Sequence, residues 1–236
     1  KDPKIWGHLL VVALLLNVFP GILFALAETE VTSILAGIIN AVTPLMTVLA
    51  ILLIGRDERP KRAQLIGLAL GFVGVATVMG IWQGFGDNPI LYVSMLLLAV
   101  TCYGFSFPYS RRFVMPYKLD PTPMATVQLI CASAVLLPGY LYDGIAQDEF
   151  KLIPVLSMLA LGIFGSGIAY IWNFEIIRAA GSAIASSVTF VTPVVAVIAG
   201  IIFLGERITW YEPVGALIVL FGAAVAQERI KFFSRA

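Results

Sequence analysis

Apolar residues in this chain fall in long runs that are separated by short polar stretches. Continuous runs such as Leu9 to Leu16 do not alternate with polar residues, as the strands of a half-buried sheet would. A helix of about 20 apolar residues rises far enough to cross the hydrocarbon core of a bilayer. The pattern therefore predicts eight membrane-spanning helices, at residues 6–27, 32–54, 63–82, 90–110, 123–142, 152–177, 182–204 and 211–228.

The composition agrees with this pattern. Of the 236 residues, 60% are hydrophobic and 12% are charged, whereas soluble domains are close to half apolar and a quarter charged. A net charge of +1 provides no basic surface of the kind that phosphate binding requires. We therefore expect an all-α membrane protein whose chief partner is the lipid bilayer, and we expect no nucleic-acid partner.

The sequence offers little that points to catalysis, to a metal or to a cofactor. Asp87 and Asp143 lie in short motifs that resemble those of intramembrane aspartyl proteases, but both are at predicted helix ends and in the reverse order. Cys102 and Cys131 lie inside predicted spans, where a thiol commonly packs as a small apolar group. No zinc-protease motif or serine-hydrolase elbow occurs. We expect no enzyme activity, no metal and no cofactor.

The basic residues predict the orientation. When loops are assigned alternately to the two sides of the membrane, only Lys151 and Arg207 of the 15 Lys and Arg residues lie on one side. The positive-inside rule then places the opposite side, and with it both ends of this sequence, in the cytoplasm. The residues on that side are Lys1, Lys4, Arg56, Arg59, Lys61, Arg62, Arg111, Arg112, Lys118, Arg178, Arg229, Lys231 and Arg235.

The chain also contains an internal repeat. Residues 33–44 read SILAGIINAVTP, and 149 residues later residues 182–193 read SAIASSVTFVTP. Both copies are followed by an apolar stretch, by an acidic-basic pair (Glu58-Arg59 and Glu206-Arg207) and by a glycine-rich span. The matching glycines are Gly67 and Gly74 in the first copy and Gly215 and Gly222 in the second.

The two copies lie an odd number of spans apart, so the repeat is predicted to be inverted. Inverted repeats related by an axis in the membrane plane are typical of secondary transporters, with the substrate site near the bilayer midplane. A five-helix unit predicts residues 1–82 as the last three helices of a first repeat, 83–89 as a linker and 90–236 as a second repeat. On this interpretation two helices precede Lys1.

The segments VTPLMTVLAILLIGRDERPKRAQLIGLALGFVGV from Val42 and VTPVVAVIAGIIFLGERITWYEPVGALIVLFGAA from Val191 carry a family resemblance. The chain resembles the drug/metabolite transporter superfamily, specifically the EamA-type family. The resemblance implies a bundle of ten helices in two inverted halves, in a bacterial inner membrane. It also implies transport of small metabolites, and the first copy departs from the family pattern in its charged loop.

Polar residues within the predicted spans are the candidates for substrate binding, because an unpaired polar group in hydrocarbon costs several kcal/mol. Serine and threonine hydroxyls also commonly bond to backbone carbonyls and hold helices together, so amides are the stronger candidates. The predicted substrate-binding residues are Asn17, Asn40, Thr43, Tyr103, Ser106, Tyr170, Asn173, Ser186 and Thr189.

The predicted function is secondary transport, by alternating access, of small neutral or zwitterionic metabolites such as amino acids. The lack of acidic residues in the middle of any predicted span argues against a proton or sodium relay among these helices. A neutral or zwitterionic cargo suits a cavity lined by amides, hydroxyls and aromatic rings better than a bare cation or anion does. A non-transporting membrane scaffold or a lipid-handling protein is the alternative. A homodimer is also left open.

Overall fold

A computed structural model describes residues 3–54, 62–78, 82, 90–143, 152–192, 195, 198–199, 202–203, 205 and 209–226. Several features that the sequence analysis names lie outside these residues, among them Asp87, Lys151, the linker at 83–89, Glu58-Arg59, Pro193 and Glu206-Arg207.

The described part of the chain is built from helices. They are α1 (Lys4–Ala27), α2 (Ser33–Ile54), α3 (Arg62–Val78), α4 (Ile90–Tyr117), α5 (Pro121–Asp143), α6 (Leu152–Ala180), α7 (Ser182–Ser186, continued by a 3₁₀ turn at Ser187–Val191) and α8 (Tyr211–Ala226). Within the described residues, α1, α2, α4, α5 and α6 are long and apolar enough to cross a membrane. The expected all-α membrane protein is thereby confirmed.

Five of the eight predicted spans coincide with these five long helices. The fourth and sixth predicted spans end too early, since α4 continues to Tyr117 and α6 to Ala180. Two other predicted spans coincide with α3, of 17 residues, and α8, of 16 residues. The seventh predicted span begins with α7, and beyond Thr192 the structure describes too few residues to define a helix.

Several helices are interrupted near the middle of the bundle. α2 is broken by a turn between Asn40 and Thr43, where the backbone N–H groups of Ala41 and Val42 donate to carbonyls three residues back. Pro44 follows this turn and has no N–H to donate to the carbonyl of Asn40. α1 and α6 contain π-helical segments at Leu14–Val18 and Leu161–Ile168. Such segments re-aim side chains and often occur at functional sites.

The core forms where α2 packs against α4. Ile34, Ile38 and Leu45 of α2 and Leu96 of α4 are fully buried in one cluster. A second cluster joins α1 to α5 and α6 around Phe174. By contrast, α6 exposes large apolar side chains along its length, as a surface in contact with hydrocarbon does.

Arginine side chains close one end of the bundle. Arg112 donates to the carbonyl of Ile54 at 2.6 Å, and Arg111 donates to the carbonyl of Ile177 at 3.1 Å. Both arginines lie at the π-helical turn near the end of α4, so they tie α4 to the ends of α2 and α6. The carbonyl of Ile177 also accepts from the backbone N–H of Gly181 at 3.1 Å, so Arg111 adds a second donor there. Basic side chains commonly bond to carbonyls near helix C-termini.

Helices α3 and α8 approach each other closely at glycines. A Cβ atom at Gly222 would lie 2.8 Å from the carbonyl oxygen of Gly67, and one at Gly74 would lie 3.0 Å from that of Gly215. Backbones can approach this closely in membranes only where side chains are absent. The glycines matched by the sequence repeat therefore form the contact between these two helices.

A buried amide pair links α1 to α5. The side-chain Nε2 of Gln128 donates to Oδ1 of Asn17 at 2.6 Å, and Gln128 is fully buried. Its Oε1 atom has no hydrogen-bond partner among the described residues. Asn17 lies in the π-helical segment of α1, which holds its amide within reach of α5.

We predict that Gly222→Ala destabilises the protein by about 1–3 kcal/mol, because the new methyl group meets backbone atoms of α3 that cannot move independently. The measurement is the thermal unfolding midpoint of the purified protein in detergent. Gly21→Ala in α1 is the control, since a Cβ there meets nothing within 4 Å. Equal midpoints for the two variants would contradict the close contact of α3 and α8.

We also predict that Asn17→Leu costs about 1–3 kcal/mol, since it leaves the buried amide of Gln128 without its partner. The double variant Asn17→Leu, Gln128→Leu should recover most of that loss, because no buried polar group then remains unpaired. Thermal midpoints of the two single variants and the double variant test this coupling. Additive losses would show that the amide pair does not act as a unit.

Candidate functional site

A cavity of about 350 Å³ lies where the broken middle of α2 meets α4, α6 and α7. Its size is within the range of small-molecule sites in proteins. Its polar lining comprises two amides, two threonine hydroxyls and two phenols: Asn40, Asn173, Thr43, Thr189, Tyr103 and Tyr170. Its apolar lining comprises Leu16, Phe107, Ala169, Trp172, Ile176, Ala185 and Val188. We call it the central cavity.

Asn40 is the polar centre of the central cavity. It is the last residue of the first half of α2, directly before the turn that interrupts the helix. Its Nδ2 donates to Oγ1 of Thr192 at 3.4 Å, and its Oδ1 accepts from Oγ1 of Thr43 at 3.3 Å. One amide therefore joins α2 to the segment that follows α7, and both bonds are longer than most protein hydrogen bonds.

Aromatic rings form much of the remaining wall. Tyr103 comes from α4 and Tyr170 from α6, and both side chains are partly buried. The Tyr103 ring stacks on Phe24 of α1, with ring centroids 6.0 Å apart. Rings and amides together provide apolar contact area and hydrogen-bonding groups without a net charge. None of the described residues that line the central cavity is ionised at neutral pH.

A second cavity, of about 310 Å³, adjoins the first. Asn40 and Tyr103 line both cavities, and Thr192 lines the second. Asn40, which is bonded to Thr192, therefore lies where the two cavities adjoin. The other residues that line the second cavity are Phe24, Glu28, Ser33 and Gly37. We call it the Glu28 cavity.

Six of the nine predicted substrate-binding residues line the central cavity, and three do not. Asn17 bonds to Gln128 instead. Ser106 and Ser186 are buried, and their hydroxyls donate to the backbone carbonyls of Tyr103 and Ala183 at 2.7 Å and 3.1 Å. The structure therefore gives these two serines the helix-internal bonds that serines commonly make in membranes.

Sequence analysis did not single out Phe107, Trp172, Thr192 or Glu28, which the structure adds to the two cavities. A signal for Thr192 was present, since it is the repeat partner of Thr43, 149 residues earlier. Phe107 and Trp172 carried no such signal, because an aromatic residue in a span is usually in contact with lipid or core. The described residues contain no group of three His, Cys, Asp or Glu side chains that could hold a metal ion.

Known proteins resemble this chain along most of its length. The sequence profile of the EamA-like transporter family matches residues 1–80 and 90–226. "Uncharacterized inner membrane transporter YedA" of Escherichia coli (strain K12) is 27% identical over 216 residues, which cover 90% of this chain and 67% of that protein. The "Probable terminal-alkyne amino-acid exporter" of Streptantibioticus cattleyicolor is 26% identical over 131 residues, or 55% of this chain and 42% of that protein.

A solved structure shares the fold. One crystal structure superposes with a TM-score of 0.65 at 24% sequence identity, covering 96% of this chain and 78% of the other. Together with the cavity of amides and aromatic rings inside an apolar helix bundle, the profile match over both parts of the chain decides the class. The chain belongs to the EamA-like transporter family, and it is a membrane transporter rather than an enzyme.

Proposed function

We propose that this protein carries small neutral or zwitterionic metabolites, such as amino acids, across a bacterial inner membrane by alternating access. The central cavity is the observation that carries the proposal. It has a volume of about 350 Å³ and a lining of amides, hydroxyls and aromatic rings. Polar side chains inside a bundle that is surrounded by hydrocarbon reduce its stability. A cluster of them around one cavity therefore supports a role in binding a polar solute.

The character of the lining supports the choice of cargo. A solute with a net charge would lose its hydration in the cavity without meeting an opposite charge, because the described lining residues are all neutral. A neutral or zwitterionic solute avoids most of this cost, and its polar groups can bond to Asn40, Asn173 and Thr189. We therefore assign these residues, with Thr43, Tyr103 and Tyr170, to substrate binding.

The proposed architecture is an inverted repeat with eight spans in this sequence, the first repeat at 1–82, the linker at 83–89 and the second repeat at 90–236. The contacts of α3 and α8 support it. Gly67 contacts Gly222, which is the repeat equivalent of Gly74, and Gly74 contacts Gly215, which is the repeat equivalent of Gly67. A two-fold axis generates this reciprocity. Such an axis would pass near Asn40 and Thr192, which join the two copies, and would relate two alternating openings of the central cavity.

The excess of Lys and Arg on one set of loops supports a cytoplasmic location for both ends of this sequence. The name of the Escherichia coli relative supports a location in the inner membrane, and the name of the exporter supports amino acids as the cargo.

The alternative, a scaffold or lipid-handling protein, finds support in the exposed apolar surface of α6. That surface is what any membrane-embedded helix presents, so it does not outweigh the cavity.

We predict that the double variant Asn40→Ala, Thr189→Ala lowers saturable flux by about tenfold in kcat/KM. Two lost hydrogen bonds at about 0.5–1.5 kcal/mol each give a change of that size. The measurement is uptake and efflux of a panel of amino acids, sugars and nucleosides in proteoliposomes that contain the purified protein.

Thr126→Ala is the matched control. Thr126 lies on the exposed side of α5, lines neither cavity, and donates to a backbone carbonyl as Thr189 does. Its flux should equal that of the native protein. Saturable flux that the double variant leaves unchanged would overturn the assigned site, whereas no flux of any solute, together with lipid scrambling, would favour the lipid-handling alternative.

A further inference from the structure

The helices that surround the central cavity form two packed groups. α2 packs on α4 around Ile38 and Leu96, and α1 packs on α4 and α5 around Leu9 and Met124, so these four helices form one group. α6 and α7 contact each other and form the second group. The central cavity lies between the groups, because its lining comes from α1, α2 and α4 on one side and from α6 and α7 on the other.

Apolar side chains from both groups close one end of the central cavity. Phe107, Ile176 and Ala185 line the cavity, and the same three side chains pack in one cluster with Met115 of α4 and Ile177 of α6. Met115 and Ile177 are close to the C-terminal ends of their helices, so the cluster lies between the cavity and these two helix ends. We call these five side chains the apolar plug.

Beyond the plug, two arginines bond across the same boundary between the groups. Arg111 of α4 donates to the carbonyl of Ile177 in α6 at 3.1 Å. In the reverse direction, Arg178 of α6 donates to the carbonyl of Leu119, which lies in the connection from α4 to α5. Each group thus supplies one donor to the backbone of the other. We call these two bonds the arginine clasp.

The arginine clasp can open at little cost. The carbonyl of Ile177 also accepts from the N–H of Gly181, so it keeps a partner when Arg111 moves away. Arg178 is exposed and Arg111 is half-buried, so neither side chain is enclosed by protein. A hydrogen bond whose donor and acceptor both find other partners costs far less to break than one that leaves a buried group unpaired.

α6 also contains a segment that can bend. Leu161–Ile168 is π-helical and contains three glycines. A Cβ atom at Gly162 would meet nothing within 4 Å, so close packing does not require a glycine there. Helices commonly bend at π-helical turns and at small residues. The part of α6 that follows, Ala169–Ala180, carries one wall of the cavity, part of the plug and Arg178.

We propose that the arginine clasp and the apolar plug form a gate, which opens this end of the central cavity when Ala169–Ala180 rotates with α7 away from α4. This inference rests on the proposed transport by alternating access, and it assigns the residues that hold one end of the cavity closed. Phe174 of α6 is buried in a cluster with side chains of α1, α4 and α5, so α6 rotates about this contact and does not separate from them. Arg112 is not part of the gate, because its bond to the carbonyl of Ile54 lies within the first group.

The first experiment measures access to the cavity without transport. Ala169→Cys, in the wall of the central cavity, is placed in a Cys102→Ala, Cys131→Ala background in membrane vesicles. A membrane-impermeant methanethiosulfonate reagent is added on the side at which a Lys118→Cys variant reacts, since Lys118 is exposed and directly follows α4. The rate of modification of Ala169→Cys then reports the population in which this end of the cavity is open.

The double variant Arg111→Met, Arg178→Met should raise this rate about tenfold, because it removes hydrogen bonds of charged donors that exist only while the gate is closed. Arg112→Met is the matched control, since it also removes an arginine bond to a backbone carbonyl, but one within the first group. The control should not change the rate. An unchanged rate in the double variant, or an equal rise in the control, would overturn the gate.

The second experiment holds the gate closed, and it decides the question if the double methionine variant does not fold. The pair Leu119→Cys, Arg178→Cys is joined by a bifunctional methanethiosulfonate reagent about as long as the arginine side chain that it replaces. Saturable flux in proteoliposomes should fall to the level of protein-free vesicles and should return when a reductant cleaves the link. The control pair Ile54→Cys, Arg112→Cys joins α2 to α4 within the first group, and its cross-link should leave flux unchanged.

The outcomes separate this inference from the proposed function. Saturable flux that continues after the cross-link between positions 119 and 178 would leave transport standing and overturn the gate. Loss of flux after both cross-links would show that any restraint on the bundle stops transport, and would also overturn it. If no solute gives flux, the transport function fails, and the modification rates alone decide whether this end of the cavity opens.

Discussion

Hydrocarbon offers no hydrogen-bond partner, and this constraint determines most of the structure. Every backbone amide and every polar side chain in the bundle must find a partner within the protein. The long helices satisfy their backbones internally, and arginines from α4 supply donors to carbonyls at the ends of α2 and α6. Where α2 is broken, the turn is buried against α4 and beside a cavity rather than exposed to lipid.

The same constraint separates structural polar groups from those available to a solute. The hydroxyls of Ser106 and Ser186 donate to backbone carbonyls of their own helices, and the amide of Asn17 is bonded to that of Gln128. Asn40 also has partners, but both bonds are long and its side chain lies at the boundary of two cavities. This position beside two cavities is the reason that the proposed function assigns Asn40 to substrate binding.

Charge is distributed unevenly between the two cavities. The described lining of the central cavity is neutral, whereas the adjoining Glu28 cavity is lined by a carboxylate at the end of α1. A site without charge can release its cargo readily, since no strong ion pair must be broken.

The sequence by itself determined the class of protein, five of the long helices and the family. Those properties depend on the length and apolarity of local segments. The thickness of the hydrocarbon core sets the length of apolar segment that can span it. It also indicated which amides and phenols to consider, and six of the nine chosen residues lie together around one cavity.

Only the tertiary structure decided how each helix is rotated and which neighbour it meets. Asn17 and Asn40 are both amides within predicted spans, yet one faces α5 and the other faces the cavity. The π-helical turn in α1 and the break in α2 set these directions, and the pattern of apolar residues does not predict either irregularity. Phe107 and Trp172 carry no local signal either, and only the packing of α4 and α6 placed them at the central cavity. Contacts between distant segments depend on close packing, which no local pattern of residues contains.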